Sequence, residues 1–561
     1  MDQTLQNLPP HLVQQIARRA TRWVTPTTKG RLPSTSNPSW KMQKYINISQ
    51  RWHFSCIPLY CQQAVLSTNA TASCIDERHH WSSTTSAVYK LNGNMYTRHV
   101  HINVPFTAIA DGTMARLLNR APYANMCFPR CEAFWFKPTR GHPTTVDAAH
   151  WTNNIREFVQ CVHRMFPNAR MCGISSAVSL AENDHAVFDH IGELFTQLIQ
   201  LSTSVSYFAS SEHLFPARLV HTLGLTSIAY TECASSALFV CLIRANHATL
   251  QELHIEATQP NVLAHIVAHP TPISFPYLSV LDAECLDFNP DFVPTYAPTH
   301  APFPRLCSLT LHHPYPFTTR ALFAHNKSTL HRVSLHIQST HDALFYVQSK
   351  VVDKHSLPQV TQLDIRVTCN ESVWDKYVGR TTVAAFVECA PRVQHLQLNI
   401  DCVGLEPSVR GYITHTTMAN IRYLKIGHTA LSISDVVQVL ERVPNVVQLG
   451  IDPQTIDPTT HTRIQDTQSL DHLHSLIRTY PQLGKRLNHI VFGLATCADM
   501  EGSAHFAIQL AILCRHTTRI RWSTHSSLFV DHCTRLSHAS ESPYAAYTHQ
   551  LRTLDWKKNI L

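Results

Sequence analysis

The chain has 561 residues, enough to bury a sizeable core, and its 44% hydrophobic and 15% charged residues exclude disorder over most of its length. A formal net charge of +8 is spread along the sequence without any block of like charges, so no nucleic-acid partner is expected. Met1-Asp2-Gln3 opens polar with no apolar signal segment behind it, and the longest apolar runs, 237–243 and 507–514, fall short of the ~20 residues that span a bilayer. A soluble protein of the cytoplasm or nucleus, with no membrane partner, is the expectation.

At the N-terminus, Leu5, Leu8, Leu12, Val13 and Ile16 fall on one helical face, with Pro9 and Pro10 where a first turn tolerates them. The Ser/Thr/Pro-rich stretch 25–39 reads as a loop, and a second apolar helical stretch runs through Tyr45, Ile46, Ile48 and Trp52 to Leu59. Leu8-Pro9, the pair Leu12-Val13, Ile16, the closing Ile48-Ser49-Gln50-Arg51-Trp52 and the following Ile57-Pro58-Leu59-Tyr60 together resemble the F-box. The middle departs from that family, whose Leu-Pro-x-x-Asp-Leu stretch is replaced here by the loop. The resemblance implies that this segment binds a Skp-type adaptor and through it a cullin ubiquitin-ligase complex. Leu8, Pro9, Leu12, Val13 and Ile16 would form much of that contact, with Ile48 and Trp52 packing the far helix.

Beyond it, one phrase recurs: an apolar residue, two others, an apolar residue, one other, an apolar residue. It occurs at Leu250/Leu253/Ile255, Leu306/Leu309/Leu311, Leu330/Val333/Leu335, Val360/Leu363/Ile365, Val393/Leu396/Leu398, Ile421/Leu424/Ile426 and Val446/Leu449/Ile451. Weaker copies stand at Leu278/Leu281/Ala283, Val220/Leu223/Leu225 and Leu487/Ile490/Phe492. From 250 to 446 the steps are 28, 28, 24, 30, 33, 28 and 25 residues, room for one strand and one helix per unit and close to the leucine-rich-repeat range.

Pro129, Pro167, Pro276, Pro304, Pro358, Pro391, Pro444 and Pro481 each stand two residues before an apolar residue. Proline cannot continue an incoming helix and biases its predecessor to extended backbone, so it marks the passage from helix to strand. The pattern reaches back to Phe134/Phe136 and Cys172/Ile174, and the solenoid is expected to begin near Val100-His101-Ile102-Asn103-Val104. Between strands, helical stripes appear at Ile155, Phe158, Val159, Val162 and Phe166, and at Leu470, Leu473, Leu476, Ile477 and Tyr480. A third follows Ser432 and Asp435, placed as a cap, with Ile433, Val436, Val437, Leu440 and Val443. The ninth position of each unit varies, so a continuous asparagine ladder is absent.

These observations predict an α/β fold: an N-terminal F-box-like helical segment (1–60), a connector (61–97), an irregular leucine-rich-repeat-like solenoid or horseshoe with a parallel strand ladder (98–535), and a C-terminal cap or tail (536–561). The start and the degenerate repeats together resemble F-box-like families of the kind expanded in some fungi. In each strand the residues between the apolar ones face the other way. They include Glu252, His254, Glu256, Arg332, His336, Asp364, Arg366, His395, Gln397, Tyr423 and Lys425, the candidate surface for a protein target.

The 17 cysteines include no Cys-x-x-Cys pair. Cys127, Cys131, His142 and His150 are the nearest approach to a zinc pattern, but Cys131 also fits a repeat position, which favours a buried structural thiol, and no metal or cofactor is expected. The 38 histidines equal the acids in number yet are scattered, as polar surface residues would be. Phosphate-binding, nucleophile-elbow and zinc-protease motifs are missing and only 15 glycines occur, so the chain is expected not to be an enzyme. The function that the F-box resemblance implies is substrate recognition in a Skp-cullin-F-box type ubiquitin ligase. The alternative is a non-catalytic interaction scaffold whose N-terminal helices are a structural cap.

Overall fold

The computed structural model describes residues 13, 63–67, 93–120, 123–139, 148–175, 193–194, 196–200, 202–208, 223–231, 236–256, 273–284, 302–312, 316–337, 356–368, 385, 387–401, 419–453, 470–492, 500–522, 527–538, 544–552 and 554–558. Its contacts divide the chain into two compact units, Met1–Asn289 with Pro294–Pro304, and Pro290–Val293 with Arg305–Leu561.

In the first unit the strands are β1 (Gln63–Ser67), β2 (His99–Pro105), β3 (Ala133–Thr139), β4 (Met171–Ser175), β5 (Ser204–Phe208), β6 (Ser227–Thr231), β7 (Glu252–Glu256) and β8 (Val280–Glu284). Each pairs in parallel with the next in sequence. The described helices include α1 (Phe106–Ala110), α2 (Thr113–Leu118), α3 (Ala148–Met165) and α4 (Ser236–Ala245), and residues 196–200 are also helical. The second unit repeats the plan with β9 (Ser308–His312), β10 (Arg332–Ile337), β11 (Gln362–Thr368), β12 (His395–Asp401), β13 (Tyr423–Leu431), β14 (Gln448–Pro453), β15 (His489–Phe492), β16 (Arg519–Trp522) and β17 (Asp555–Lys558). These also pair in parallel, each with its successor. Its helices are α5 (Pro316–Asn326), α6 (Ile433–Arg442), α7 (Leu470–Thr479), α8 (Met500–Leu513), α9 (Ser527–His538) and α10 (Thr548–Arg552). Each unit is thus a leucine-rich-repeat-like parallel ladder. β1 lies in the stretch read as a connector, and β17 in the stretch read as a C-terminal cap.

The recurring phrase builds the core as its spacing requires. Register places Val333 beside Leu309 and Leu363, and Leu335 beside Leu311 and Ile365. All six are buried, as are the phrase-leading Leu306, Leu330, Val360, Val393, Ile421 and Val446. One copy was misplaced. Leu223 is 73% exposed, and the strand of that repeat is β6, led by Leu225 with Ile228 buried behind it. The phrase did not reveal β1, β5, β16 or β17; of these, β5 and β16 are led by Ser202 and Thr517 in place of an apolar residue. The buried Thr517 is satisfied because its hydroxyl donates to the Leu487 carbonyl at 3.2 Å.

The proline marks are β-turns. The N–H three residues after the turn's first residue donates to that residue's carbonyl at Phe128/Cys131, Phe166/Ala169, Phe275/Leu278, Leu357/Val360, Ala390/Val393, Val443/Val446 and Tyr480/Leu483, over 3.0–3.3 Å. Proline holds the second position, where its fixed φ suits the turn. Repeats without proline use other chemistry. Asn246 is buried at the end of α4; its Nδ2 donates to Leu242 O (2.9 Å) and its Oδ1 accepts from the Leu225 N–H (2.9 Å). Thr249 Oγ1 donates to Leu225 O at 2.8 Å, so one turn satisfies both backbone groups of the preceding repeat's leading residue. Asn326, Thr329 and Leu330 repeat the spacing, with Asn326 Nδ2 donating to Leu322 O. A continuous asparagine ladder is not what forms; asparagine instead substitutes for proline at single turns.

The helices cover the buried side. The α3 stripe of Ile155, Phe158, Val159, Val162 and Phe166 is buried, with Phe158 against Phe136 and Phe166 against Phe134 (centroids 6.1 and 5.7 Å apart). The α6 stripe is buried too, behind a capping box in which Ser432 and Asp435 satisfy each other's backbone N–H. On α7, among the described side chains, only Leu473 is fully buried, while Leu476, Ile477 and Tyr480 are half-buried; the Leu470 side chain lies outside the described residues. Residues 507–514, apolar except for Gln509, are buried throughout, in α8 and the residue after it, and α8 abuts α9 and α10. No helix among the described residues is long and apolar enough to cross a membrane.

Asn246→Ala would leave the buried Leu225 N–H without an acceptor, a cost of about 1–3 kcal/mol. Thermal unfolding followed by circular dichroism should show a melting temperature lower by several degrees. An unchanged midpoint would mean that the turn does not depend on this side chain.

Candidate recognition face

With alternate strand residues committed to the core, the others form one polar face per unit. In the second unit, register aligns Arg332, Gln362, His395 and Tyr423 in one row, Ser334, Asp364, Gln397 and Lys425 in the next, and His336, Arg366 and Asn399 in a third. Eight of the candidate residues therefore share one surface across β10–β13. Arg332, Arg366 and His395 are exposed, and His336, Asp364, Gln397, Tyr423 and Lys425 half-buried.

The face is internally ordered. Asp364 Oδ2 accepts from Arg366 Nη2 (3.0 Å) and Nε (3.2 Å) and from Ser334 Oγ (3.3 Å), joining β10 to β11. His336 Nε2 lies 3.2 Å from Ser334 Oγ, and its ring meets His312 edge-on at 4.2 Å. The His395 and Tyr423 rings stack at 5.6 Å, and burial, then the Asp364 carboxylate, push the Tyr423 hydroxyl above its ordinary pKa. Lys425 lies against β14 at Gly450, where a Cβ would sit 3.0 Å from Lys425 Cγ. Such a surface offers fixed donors, acceptors and ring faces to a partner.

Glu252 and His254 occupy the corresponding positions on β7 of the first unit, with His254 Nδ1 3.5 Å from Asp282 Oδ2 on β8. Glu256 is in β7, but its side chain lies outside the described residues. Leu8, Pro9, Leu12, Ile16, Ile48 and Trp52 also lie outside them, whereas Val13 is helical and fully buried. Of the zinc-like set, Cys131 is buried with Sγ 3.3 Å from Ala133 O, and burial pushes its thiol up to about 12. His150 is exposed and His142 is outside the described residues.

One cluster on the first unit's face went unread in the sequence. Trp135 holds an outward position on β3, yet is only 4% exposed. Its indole stacks with His101 (4.9 Å) and His99 (5.4 Å) and leans over Gly173, its register partner on β4. A Cβ at Gly173 would fall 2.0 Å from Trp135 Cδ1, so only glycine leaves the ring its place. Burial, then the neighbouring His99, holds the His101 imidazole down to about 4; His99 is also lowered, chiefly by burial. The readable signal was the pairing itself, the largest side chain facing the smallest residue one repeat on.

No protein-family model matches the chain, and no curated protein matches it. Among solved structures 22 chains match. One belongs to the crystal structure of the yeast Rad7 and Elc1 complex, at 10% identity over 78% of this chain and 81% of that one, with a TM-score of 0.28.

Two outcomes follow from the Trp135 cluster. Gly173→Ala should overpack it and destabilise the protein by about 1–3 kcal/mol, and Trp135→Leu in the same chain should restore part of the loss; equal melting temperatures for wild type and Gly173→Ala would refute the packing. His101 has a lower pKa folded than unfolded, so the unfolded chain binds more protons between pH 6.5 and about 4. Stability should therefore fall as pH drops through that window, by up to about 3 kcal/mol from this group. A His101→Gln variant should lose less stability on acidification than wild type, as read by melting temperature against pH.

Proposed function

We propose that this protein is a substrate-recognition subunit of a Skp-cullin-F-box type ubiquitin ligase. Its N-terminal segment docks the adaptor, and the polar strand face holds a protein target. The reading is supported by one combination: the F-box-type pattern from Leu8-Pro9 to Arg51-Trp52 stands ahead of a parallel ladder whose outward positions are polar and mutually ordered. Repeat ladders of this kind offer extended surfaces suited to protein partners. The chain itself performs no chemistry in this scheme; the ubiquitin-carrying cysteine belongs to partner enzymes, and the setting is the cytoplasm or nucleus.

A second reading, a recognition scaffold whose N-terminal helices are a structural cap, draws support from Val13, which is fully buried within the single chain. A residue already covered by its own chain has no free surface for an adaptor.

Pull-down of the full-length protein with a Skp-type adaptor and cullin separates the two. Recovery by the full-length chain, lost on removal of residues 1–60 and reduced about tenfold or more by Leu8→Ala/Pro9→Ala, is the expected result. Absence of recovery from well-folded full-length protein would replace the ligase reading with the scaffold.

A further inference from the structure

From β13 to β16 the second unit's polar face and the turns feeding it carry an excess of cations. Segments 419–427, 443–451, 480–492 and 514–522 carry Arg422, Lys425, Lys485, Arg486, Arg515, Arg519 and Arg521 and no aspartate or glutamate. Arg422, Lys485, Arg486, Arg515 and Arg519 are exposed. Register puts Arg519 directly beside His489 and Arg521 beside Val491.

The positive field reaches His489, whose imidazole is pushed below its ordinary pKa by burial and then by Arg521 and Arg519, and whose Nε2 is buried without a hydrogen-bond partner among the described residues. Acids stand on and beside the zone. Asp364 is engaged by Arg366 on β11, Asp452 lies on β14 itself, and on β17 Asp555 is the register partner of Arg519 and Lys557 that of Arg521.

Like charges gathered on one face repel one another, and a partner of opposite sign relieves that repulsion. Arginine in particular suits carboxylates, which it can grip through two parallel N–H donors. Four strands about 4.8 Å apart span roughly 15 Å, the reach of about five residues of extended chain. We propose that the β13–β16 face is the docking surface for a short aspartate- or glutamate-rich segment of a protein target. This deepens the reading of the strand face as target-holding and rests on it. A span of this size, with Asp364, Asp452 and Asp555 on and beside it, suits a short peptide and opposes a long polyanion such as nucleic acid.

The test measures fluorescence anisotropy of a labelled peptide of consecutive glutamates, and of its glutamine counterpart, with the purified full-length protein. The glutamate peptide should bind about tenfold tighter or better, weakening as salt rises. Arg515→Glu/Arg519→Glu should lose about tenfold, while Arg478→Glu, an exposed residue of α7, should change little. Should the double variant fold poorly by circular dichroism, Arg515→Gln/Arg519→Gln supplies the same comparison.

Equal binding of the two peptides, or binding indifferent to Arg515 and Arg519, overturns the proposal. So does displacement by a single-stranded oligonucleotide at concentrations below those of the glutamate peptide. Adaptor capture by the same preparations reports separately: peptide binding without it supports the docking surface and overturns only the ligase reading.

Discussion

The in-register parallel strand pair is the constraint on which both units depend. A parallel pair cannot be closed by a short hairpin, so every strand must be followed by a crossover that returns the chain to the same end. A shift of one residue would turn each buried pair, such as Leu363 and Ile365, outward and bring Asp364 in. Each large aliphatic side chain left exposed by such a slip forfeits about 1.5–3 kcal/mol. Repeated at every strand, that penalty fixes the register and with it the rows of the polar face.

The crossovers must end sharply for the next strand to start in place, and two local chemistries achieve this. At the proline turns the ring sets the backbone and a single hydrogen bond closes the turn. At Asn246 a buried amide and the Thr249 hydroxyl reach across to Leu225, so the turn of one repeat completes the hydrogen bonding of the one before. Phe128 N–H, bonded to Met165 O at 2.7 Å, does the corresponding work through the main chain. Neighbouring repeats are therefore tied at their turns as well as along their strands.

Freed from core packing, the outward positions diverge in character along the chain. On β2–β4 they hold a stack of rings over a glycine; on β10–β12 a carboxylate-centred network; on β13–β16 an excess of cations. The same backbone geometry supports all three because only alternate side chains are needed to keep the ladder in register. That separation lets the face vary without altering the buried contacts.

The amino-acid sequence by itself determined the periodic features: the buried phrase, the proline turns, the α3 and α6 stripes and the Ser432–Asp435 cap. Each arises from spacing within a few residues, where backbone geometry alone decides which side chains share a face. Strands β5 and β16 escaped because a polar residue led them, made tolerable at Thr517 by a carbonyl one repeat away. Only the tertiary structure decided which repeats lie side by side, and so it alone brought Trp135 onto Gly173, Asp364 to Ser334 and Arg519 to His489. Those meetings depend on register between strands whose separation in sequence varies with every crossover, and no local pattern encodes that length.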